Sequence, residues 1–420
     1  MHVVYIHQHF STTRGTTGTR SYEMSQRLLR AGHRVTMICG VHANNDVAVA
    51  AAPRVSESLV DGIVVKTVAE PYGNEMGFLR RVRAFRGFAD TAAKIVKELD
   101  ADLVFATSTP LTVGLPGMKG ARHLGVPFVF EVRDLWPEIP IAVGVIKNPL
   151  LKWYTRRMER RIYQAAQRII ALAPGMKEGI CRTNYPAERV TMIPNGCDLE
   201  LFRPRAERSP DARFGDPDRF RLVFTGAHGL LNGLDAVLDA AVELERRGVS
   251  DVQFVFIGGG REKPRLMERA GAQRLDDLVC WVDPIPKQEL AGVLPQMDAG
   301  LMILKNVRAF YRGTSPNKFF DYIASGLPVL NNYPGWLAEM ITERDCGCVV
   351  PPDDPVAFCD AVLRLRDHPE QGRQMGLRGR QLAEERFSRD RLGDEFVATL
   401  ERAYDERNDS GRIRRSSEDE

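Results

Sequence analysis

The stretch AGLMILKNVRAFYRGTSPNKFFDYIASGLPVLNNYP, residues 299–334, has the pattern of a strand, a loop, a short helix and a second strand. The apolar runs AGLMILK and PVLNNYP predict the strands, and the segment between them predicts the helix. Ser315 is the predicted N-cap, Pro316 the first helical residue and Gly326 the stop signal. This stretch therefore predicts one unit of a parallel sheet.

The start of this helix has the chemistry of an anion site. Unpaired N–H groups and the aligned peptide dipoles favour a negative ligand at a helix N-terminus. Lys318 and Asp321 are three residues apart and share one face of the predicted helix. The lysine suits a phosphate, and the carboxylate suits a hydroxyl pair such as a ribose diol. The alternative is an ordinary capped helix with two solvated charges.

Strand and helix patterns alternate along the rest of the chain, which is typical of doubly wound parallel sheets. With 420 residues, the chain is long enough for two domains. Residues 198–220, rich in Pro, Asp and Arg, predict the linker. The predicted domains are residues 1–203 and 204–387, followed by a helix at 388–405 that packs back on the first domain and a disordered tail at 406–420. Two such domains facing each other form a ligand cleft at the carboxyl ends of their strands.

The composition, 44% apolar and 27% charged, is that of a soluble globular protein. The N-terminus lacks the regions of a signal peptide, which predicts a cytoplasmic protein. Seven scattered cysteines without a CxxC pair and histidines without HExxH spacing predict neither a disulfide framework nor a metal site. A net charge of +3 argues against nucleic acid as a partner.

Two predicted helices in the first half concentrate positive charge. The first has apolar residues from Phe78 through Val82 to Val96 at helical spacing, and the second lies within residues 150–164. Such helices either contact an anionic membrane surface or are core-packed helices with solvated outer faces. The basic residues concerned are Arg80, Arg81, Arg83, Arg86, Arg156, Arg157, Arg160 and Arg161.

Glycine-bearing loops follow several predicted strands. Gly15 and Gly18 follow the first strand, and Gly226 and Gly258 lie in the second-half loops FTGAHGLLNGL and IGGGREK. Glycine lets backbone N–H groups approach a ligand closely, although each loop also reads as a tight turn. The loops together favour a ligand that contains phosphate.

The most polar strand exit of the first half is FEVRDLWPE. It contains Glu131, Arg133, Asp134 and Glu138. This cluster is either functional or a buried salt bridge between Arg133 and one of the acids.

Seven motifs in order resemble the family 4 glycosyltransferases, which are retaining enzymes of the GT-B fold, and among them the fucosamine-transferase and colanic-acid type. The resemblance implies transfer of a sugar from a nucleotide diphosphate, with UDP predominant, to a saccharide or lipid-linked acceptor in cell-surface polysaccharide biosynthesis, without a metal cofactor. A lipid-linked acceptor would place the protein at the inner face of the cell membrane. The motifs are GTRSYEMSQRLLRAGHRVTMIC, EVRDLWPE, IIALAPGMKEGI, IPNGCD, TGAHGLLNGLD, SPNKFFDYIASGLPVL and GCVVPPDDP.

The resemblance also implies roles for single residues. Asp321 matches the second glutamate of the family's Glu, seven residues, Glu motif, which holds the ribose hydroxyls. Lys318 and the helix start face the diphosphate, the backbone around Ile285 borders the base, and Asp134 lies at the sugar end. The expected catalytic residues are Lys318, Asp134 and Arg133, and the expected nucleotide-sugar-binding residues are Gly18, Arg20, Gly226, His228, Gly258, Ile285, Ser315, Asn317, Lys318 and Asp321.

The chain departs from the family pattern at four positions. Gly313 replaces the first glutamate, Ala227 and Asn232 replace the Arg and Lys that clamp the diphosphate, and Arg133 replaces the histidine of an HD pair. Lys318 then becomes the main candidate to neutralise the phosphate charge, with Arg20 or Arg312 as further candidates. Arg133 becomes a candidate contact for the sugar or a phosphate.

Two other functions fit the same architecture. One is a UDP-sugar 2-epimerase, which product analysis without an acceptor would separate from a transferase. The other is a non-catalytic scaffold that binds a nucleotide sugar.

Overall fold

The computed structural model describes residues 1–15, 18–42, 54–72, 76–204 and 211–416. The chain forms two compact units, Met1–Pro194 with Asp390–Glu420, and Asn195–Arg389. Each unit is a sheet covered by helices, as the alternating pattern predicts.

The chain enters the second unit at Asn195, before the predicted boundary at residue 203. Asn195 donates its backbone N–H to Ser315 Oγ at 3.0 Å, and Cys197 forms a parallel bridge with Ser388. Residues that the sequence assigned to the end of the first domain are therefore held by the second. Within the predicted linker, Phe214 is buried and belongs to the second unit, while residues 205–210 lie outside the described part.

The first unit contains an eight-stranded sheet within the described residues, in the order β3-β4-β2-β1-β5-β6-β7-β8. Its strands run parallel except for β3, which is antiparallel to β4. The strands are β1 (His2–Ile6), β2 (Arg34–His42), β3 (Val55–Val60), β4 (Ile63–Tyr72), β5 (Leu103–Thr107), β6 (Phe128–Val132), β7 (Arg168–Ala171) and β8 (Val190–Met192). The helices are α1 (Arg20–Arg30), α2 (Phe78–Lys97), α3 (Gly114–Leu124), α4 (Glu138–Ala142), α5 (Pro149–Ala165) and α6 (Pro174–Cys181).

The antiparallel strand β3 is missing from the sequence prediction. It forms a hairpin with β4 in which Val60 pairs with Ile63, and the two turn residues, Asp61 and Gly62, have φ of 47° and 87°. Asp-Gly between two strands is a strong signal for this tight hairpin. The signal was present, but the polar VSESLV run lacks the apolar character of the buried strands.

The second unit contains a six-stranded parallel sheet within the described residues, in the order β11-β10-β9-β12-β13-β14. The strands are β9 (Phe220–Thr225), β10 (Val252–Ile257), β11 (Val279–Val282), β12 (Ala299–Met302), β13 (Val329–Asn331) and β14 (Gly347–Val349). The helices from here to the C-terminus are α7 (Asp235–Arg246), α8 (Lys263–Ala272), α9 (Lys287–Val293), α10 (Arg308–Tyr311), α11 (Asn317–Ala324), α12 (Trp336–Glu343), α13 (Pro355–Asp367), α14 (Pro369–Arg386) and α15 (Arg389–Ser416).

The core of the second sheet consists of apolar side chains that the strands and their crossover helices bury together. Phe224 and Phe256 of the central strands pack with Leu238 of α7 and Val362 of α13 in one cluster. Each such side chain contributes about 1.5–3 kcal/mol on burial. This core fixes the strand ends that carry the candidate site.

Helix α15 is longer than predicted. It continues to Ser416, through most of the tail that the sequence predicted to be disordered, and residues 417–420 lie outside the described part. From Asp390 onward it belongs to the first unit, where Arg27 of α1 donates to Asp390 at 3.2 Å. Within the described ranges, none of the helices has both the length and the hydropathy of a bilayer-spanning segment.

Candidate functional site

Helix α11 begins one residue later than the sequence predicts. Its N-cap is Pro316, which has an extended backbone, and its first residue is Asn317. Ser315 does not cap the helix, because its hydroxyl accepts the backbone N–H of Asn195 instead. Gly326 is confirmed as the stop signal: the helix ends at Ala324, and Gly326 has a φ of 73°.

Tyr322 anchors α11 to the end of β9. The Tyr322 hydroxyl accepts the backbone N–H of Thr225 at 2.9 Å. Gly300 of β12 permits this packing, because a Cβ there would lie 2.4 Å from the Tyr322 ring. The helix is therefore fixed beside the carboxyl end of β9, with Lys318 in its first turn.

Lys318 is a half-buried cation without a counter-ion. Its Nζ lies 3.5 Å from the centroid of the Phe224 ring, and an ideal Cβ on Gly226 would lie 3.7 Å from Nζ. Among the described residues it makes no hydrogen bond or ion pair. Burial lowers the pKa of the Lys318 ammonium to about 7. An anion bound beside Gly226 would supply the missing opposite charge.

The glycine loops after β9 and β10 lie in direct contact. Gly226 and Gly258 have φ of 116° and 150°, in the region that favours glycine. A Cβ on Gly258 would lie 1.9 Å from the carbonyl oxygen of Gly226, and one on Gly260 would lie 2.5 Å from that of His228. These glycines are required for the two loops to pack. Gly226, beside Lys318, is exposed, whereas Gly258 is buried.

Ala227 and Asn232, which stand where the resemblance implies a diphosphate clamp, are hydrogen-bonded to each other. The Asn232 side-chain amide donates to the Ala227 carbonyl at 2.7 Å. Neither residue carries charge, so this loop offers no cation, and Lys318 is the charged side chain beside Gly226.

His228 is enclosed by aromatic rings. Its ring centroid lies about 6 Å from those of Phe224, Phe256 and Trp281, its exposed fraction is 0%, and neither ring nitrogen has a partner among the described residues. Burial, with Lys263 and Lys318 nearby, lowers its pKa to about 4, so the ring is neutral. The prediction that His228 contacts a ligand is not supported, because the ring is sealed inside the unit.

Asp321 lies three residues after Lys318 but has a different charged environment. Burial raises the pKa of its carboxyl, and Lys287 and Arg389 partly oppose this. These two cations also lie near Asp198, which accepts a hydrogen bond from Arg389 at 3.2 Å. The structure therefore does not bring Lys318 and Asp321 to one common set of partners.

The remaining second-unit residues of the prediction are distributed around the same sheet edge. Asn317 is exposed at the first position of α11, and Ile285 is half-buried between β11 and α9. Gly313, where the family has its first glutamate, is buried. No cluster of His, Cys, Asp or Glu suited to a metal ion occurs in the part of the chain that the structure describes.

In the first unit, Arg20 forms a buried ion pair rather than an open cation. Its NH2 donates to Glu131 at 2.7 Å and to the Ile193 carbonyl at 2.9 Å, and its NH1 donates to the Pro194 carbonyl at 2.8 Å. Burial would raise the pKa of Glu131, but Arg20 outweighs it and holds that pKa below its usual value. The prediction of Arg20 as a phosphate contact is therefore not supported, because its donors are already occupied.

Arg133 and Asp134 lie at the carboxyl end of β6. The Arg133 guanidinium donates to His7 Nε2 at 3.3 Å, and its backbone N–H donates to Ser108 Oγ at 2.9 Å. Asp134 is half-buried and makes no hydrogen bond or ion pair among the described residues. Burial raises the pKa of its carboxyl to about 6, and Arg133 partly opposes this. Asp134 is thus the carboxylate of this loop that remains available to a ligand.

The salt bridge of Arg133 with one of the acids, which the sequence left open as an alternative, is not formed among the described residues, because two of the acids pair with other arginines. Arg20 pairs with Glu131, and Glu138 pairs with Arg182 at 3.1 Å. Gly18 is half-buried before α1, and residues 16 and 17 of its loop lie outside the described part. The sequence also missed the positioning roles of Asn195, Tyr322 and Phe224, because their contacts join residues that are distant in sequence.

Two family models match the chain. The model described as "Glycosyl transferase 4-like domain" matches residues 15–196, and the model described as "Glycosyl transferases group 1" matches residues 219–368. A similar curated protein is alpha-D-kanosaminyltransferase of Streptomyces kanamyceticus, 27% identical over 66% of this chain and 71% of that protein.

Solved structures share the fold across nearly the whole chain. Sucrose-phosphate synthase from Thermosynechococcus elongatus has 17% identity and a TM-score of 0.74, covering 96% of this chain and 99% of that one. Anabaena HepE in complex with UDP and glucose has 14% identity and a TM-score of 0.65, with the same coverage. Both family models, the two parallel sheets and these structural matches agree, and the chain belongs to the family 4 glycosyltransferases of the GT-B fold.

Proposed function

We propose that the chain transfers a sugar of hexosyl or N-acetylhexosaminyl type from a UDP-sugar to a saccharide or lipid-linked acceptor, with retention of configuration, in cell-surface polysaccharide synthesis. The observation that carries the proposal is Lys318, a half-buried cation without a counter-ion in the first turn of α11. The solved structure of HepE with UDP and glucose supports the choice of donor.

Lys318 would act on the leaving group. The bond from the sugar C1 to the β-phosphate oxygen breaks, and the negative charge that develops on the departing UDP is stabilised by the ammonium and by the N-terminal N–H groups of α11. The acceptor oxygen bonds to C1 on the same face, and its proton passes to the departing phosphate oxygen. No covalent enzyme intermediate is required.

The remaining contacts of the proposal are those that the family resemblance implies. The exposed backbone of Gly226 would lie against the diphosphate, supported by the buried Gly258, with Ser315 and Asn317 at the helix start. Asp321 would bind the ribose hydroxyls, and the backbone at Ile285 would border the base. In the first unit, Gly18 would approach the phosphates, and Asp134 and Arg133 would contact the transferred sugar.

The proposed reaction does not need a metal ion, because the cation and the helix N-terminus supply the electrostatic stabilisation. Activity in the presence of EDTA, compared with activity in added Mg²⁺ or Mn²⁺, tests this point. Loss of activity in EDTA that either metal restores would contradict it.

Calorimetric titration of UDP and GDP into the wild-type protein, without metal, tests the proposal first. We expect UDP to bind, and Lys318→Ala and Asp321→Ala each to weaken binding about tenfold or more, since a hydrogen bond to a charged group contributes about 1.5–3 kcal/mol. Arg373→Ala removes an exposed charge of α14 and is the matched control. If neither nucleotide binds, the interpretation of α11 as an ordinary capped helix stands, and a non-catalytic scaffold becomes a better hypothesis than the enzyme.

Product analysis then separates transfer from other reactions. Incubation of UDP-sugars without an acceptor should leave them intact or slowly hydrolysed, whereas a 2-epimer would indicate epimerase activity. With an acceptor, the anomeric configuration of the product tests retention directly.

A further inference from the structure

Helices α2, α3 and α5 pack side by side on the first unit. An ideal Cβ on Gly120 of α3 would lie 2.3 Å from Val96 of α2, and one on Gly114 would lie 2.5 Å from Ile162 of α5. Glycine at both positions therefore allows α3 to approach its two neighbours closely. The outer faces of the three helices form one surface, which we name the α2–α3–α5 surface.

This surface carries far more positive charge than the chain as a whole. The three helices contain thirteen Lys and Arg against two acids, a net charge of +11, whereas the whole chain has +3. One acid, Asp90, lies 3.7 Å from Arg86, and the other, Glu159, is half-buried and hydrogen-bonded to Tyr163. The positive charge of the surface is thus largely uncompensated by its own acids.

Large apolar side chains project from the start of α5. Leu150, Trp153 and Tyr154 have exposed fractions of 75%, 62% and 56%, and Val145 in the preceding loop is 59% exposed. The Arg157 guanidinium lies 5.8 Å from the centroid of the Trp153 ring. An exposed aliphatic and aromatic group beside arginines is the composition of helices that lie in a bilayer interface.

Helix α2 has the charge but lacks such a group. Phe88 and Ile95 are buried, and among its described side chains Val82 is the large apolar residue left exposed, at 47%. Exposure of Val82 corrects the predicted apolar stripe at that position, whereas its later members Ala89, Ala92 and Val96 are buried. The structure therefore distinguishes two helices that looked alike in sequence.

We propose that the α2–α3–α5 surface binds an anionic phospholipid bilayer, with Leu150, Trp153 and Tyr154 inserted at the interface. The basic side chains contact the lipid phosphates, and the apolar group enters the boundary with the acyl chains. A nucleic acid would use the arginines but would leave Leu150 and Val145 exposed to water. The surface lies in the unit that carries Asp134, and vesicle binding requires no donor, so the proposal stands apart from the proposed reaction.

Co-sedimentation of the full chain with vesicles tests the proposal. We expect binding to vesicles of equal parts phosphatidylglycerol and phosphatidylcholine at low salt, and little binding to phosphatidylcholine alone or in about 0.5 M salt, where charges are screened. Failure to bind the anionic vesicles at low salt would overturn it. Tighter binding to duplex DNA, unaffected by changes at Leu150 and Trp153, would also overturn it in favour of a nucleic-acid surface.

Two variant pairs separate the apolar and the electrostatic parts. The pair Leu150→Ser with Trp153→Ser and the pair Arg160→Glu with Arg161→Glu should each lower the vesicle partition coefficient about tenfold or more. The matched controls are Leu377→Ser, 53% exposed, and Arg373→Glu, both on α14 of the second unit. Wild-type partitioning in either α5 pair, or equal losses in the controls, would contradict the proposal, and circular dichroism confirms that each variant is folded.

Discussion

The charged side chains at the carboxyl edges of the two sheets differ in whether they have a partner within the fold. In the first unit, Arg20 and Glu131 are buried against each other, with side chains 3% and 0% exposed. In the second unit, Lys318 faces a glycine loop and an aromatic ring without any described counter-ion. A charge with all its partners inside the fold holds the fold together, whereas a desolvated charge without a partner is favourable only when a ligand supplies one.

Breaking the internal pair should have the largest effect. Arg20→Ala leaves Glu131 buried and unpaired, and we expect it to lower the free energy of unfolding by about 3–5 kcal/mol, measured by urea denaturation. The double variant Arg20→Met with Glu131→Gln removes both charges and keeps an acceptor for Thr107. It should therefore lower the free energy of unfolding by less than Arg20→Ala does. An Arg20→Ala protein as stable as wild type would show that the pair is not structural.

Removing the unpaired charge of Lys318 should weaken nucleotide binding without lowering the stability of the fold. We expect Lys318→Met to weaken UDP binding about tenfold to a hundredfold, measured by calorimetry, without loss of stability in the unliganded protein. Burial lowers the lysine pKa from 10.5 to about 7, so the unfolded state binds more protons between these values. The buried charge of Lys318 therefore destabilises the folded state most below pH 7, and this destabilisation disappears as the pH rises toward 10.5.

Scanning calorimetry at pH 6.5 provides the readout for this second part. The melting temperature of Lys318→Met should equal or exceed that of wild type there. A clear decrease would mean that Lys318 stabilises the fold, and the comparison between the two sheet edges would fail.

The same pKa predicts a pH dependence of nucleotide binding. In the free protein Lys318 loses its proton above about pH 7, whereas the bound diphosphate favours the charged form and raises the pKa. UDP affinity should therefore fall by up to about tenfold for each pH unit between pH 7 and pH 9, with proton uptake on binding. Titrations in buffers of different ionisation enthalpy measure the uptake, and Lys318→Met should show none of this dependence.

His228 should give the smallest effect. His228→Phe replaces a neutral buried ring, whose nitrogens lack described partners, by an apolar one among Phe224, Phe256 and Trp281. We expect the free energy of unfolding to change by less than about 1 kcal/mol and UDP affinity to stay within about twofold. A large loss of affinity with unchanged stability would restore the ligand contact that the sequence predicted.

The sequence by itself determined the parallel strands of the two sheets and the presence of helix α11, which carries the candidate site of the second unit. The strands that it predicted in AGLMILK and PVLNNYP are present as β12 and β13, because apolar runs between helical segments are local patterns. The glycines at positions 226 and 258, and the helix that starts near Lys318, were also readable from their spacing. These features depend on neighbours in the chain.

The tertiary structure decided which polar groups find partners. Hydrogen bonds join Ser315 to Asn195, Arg20 to Glu131, and Asn232 to Ala227. Lys318, by contrast, has no described counter-ion. Apart from the short-range bond between Asn232 and Ala227, these partners are distant in sequence, so no local pattern foretells them. The sequence determines on which element each charge lies. Contacts between residues that are distant in sequence decide whether that charge has a partner within the fold or remains available to a ligand.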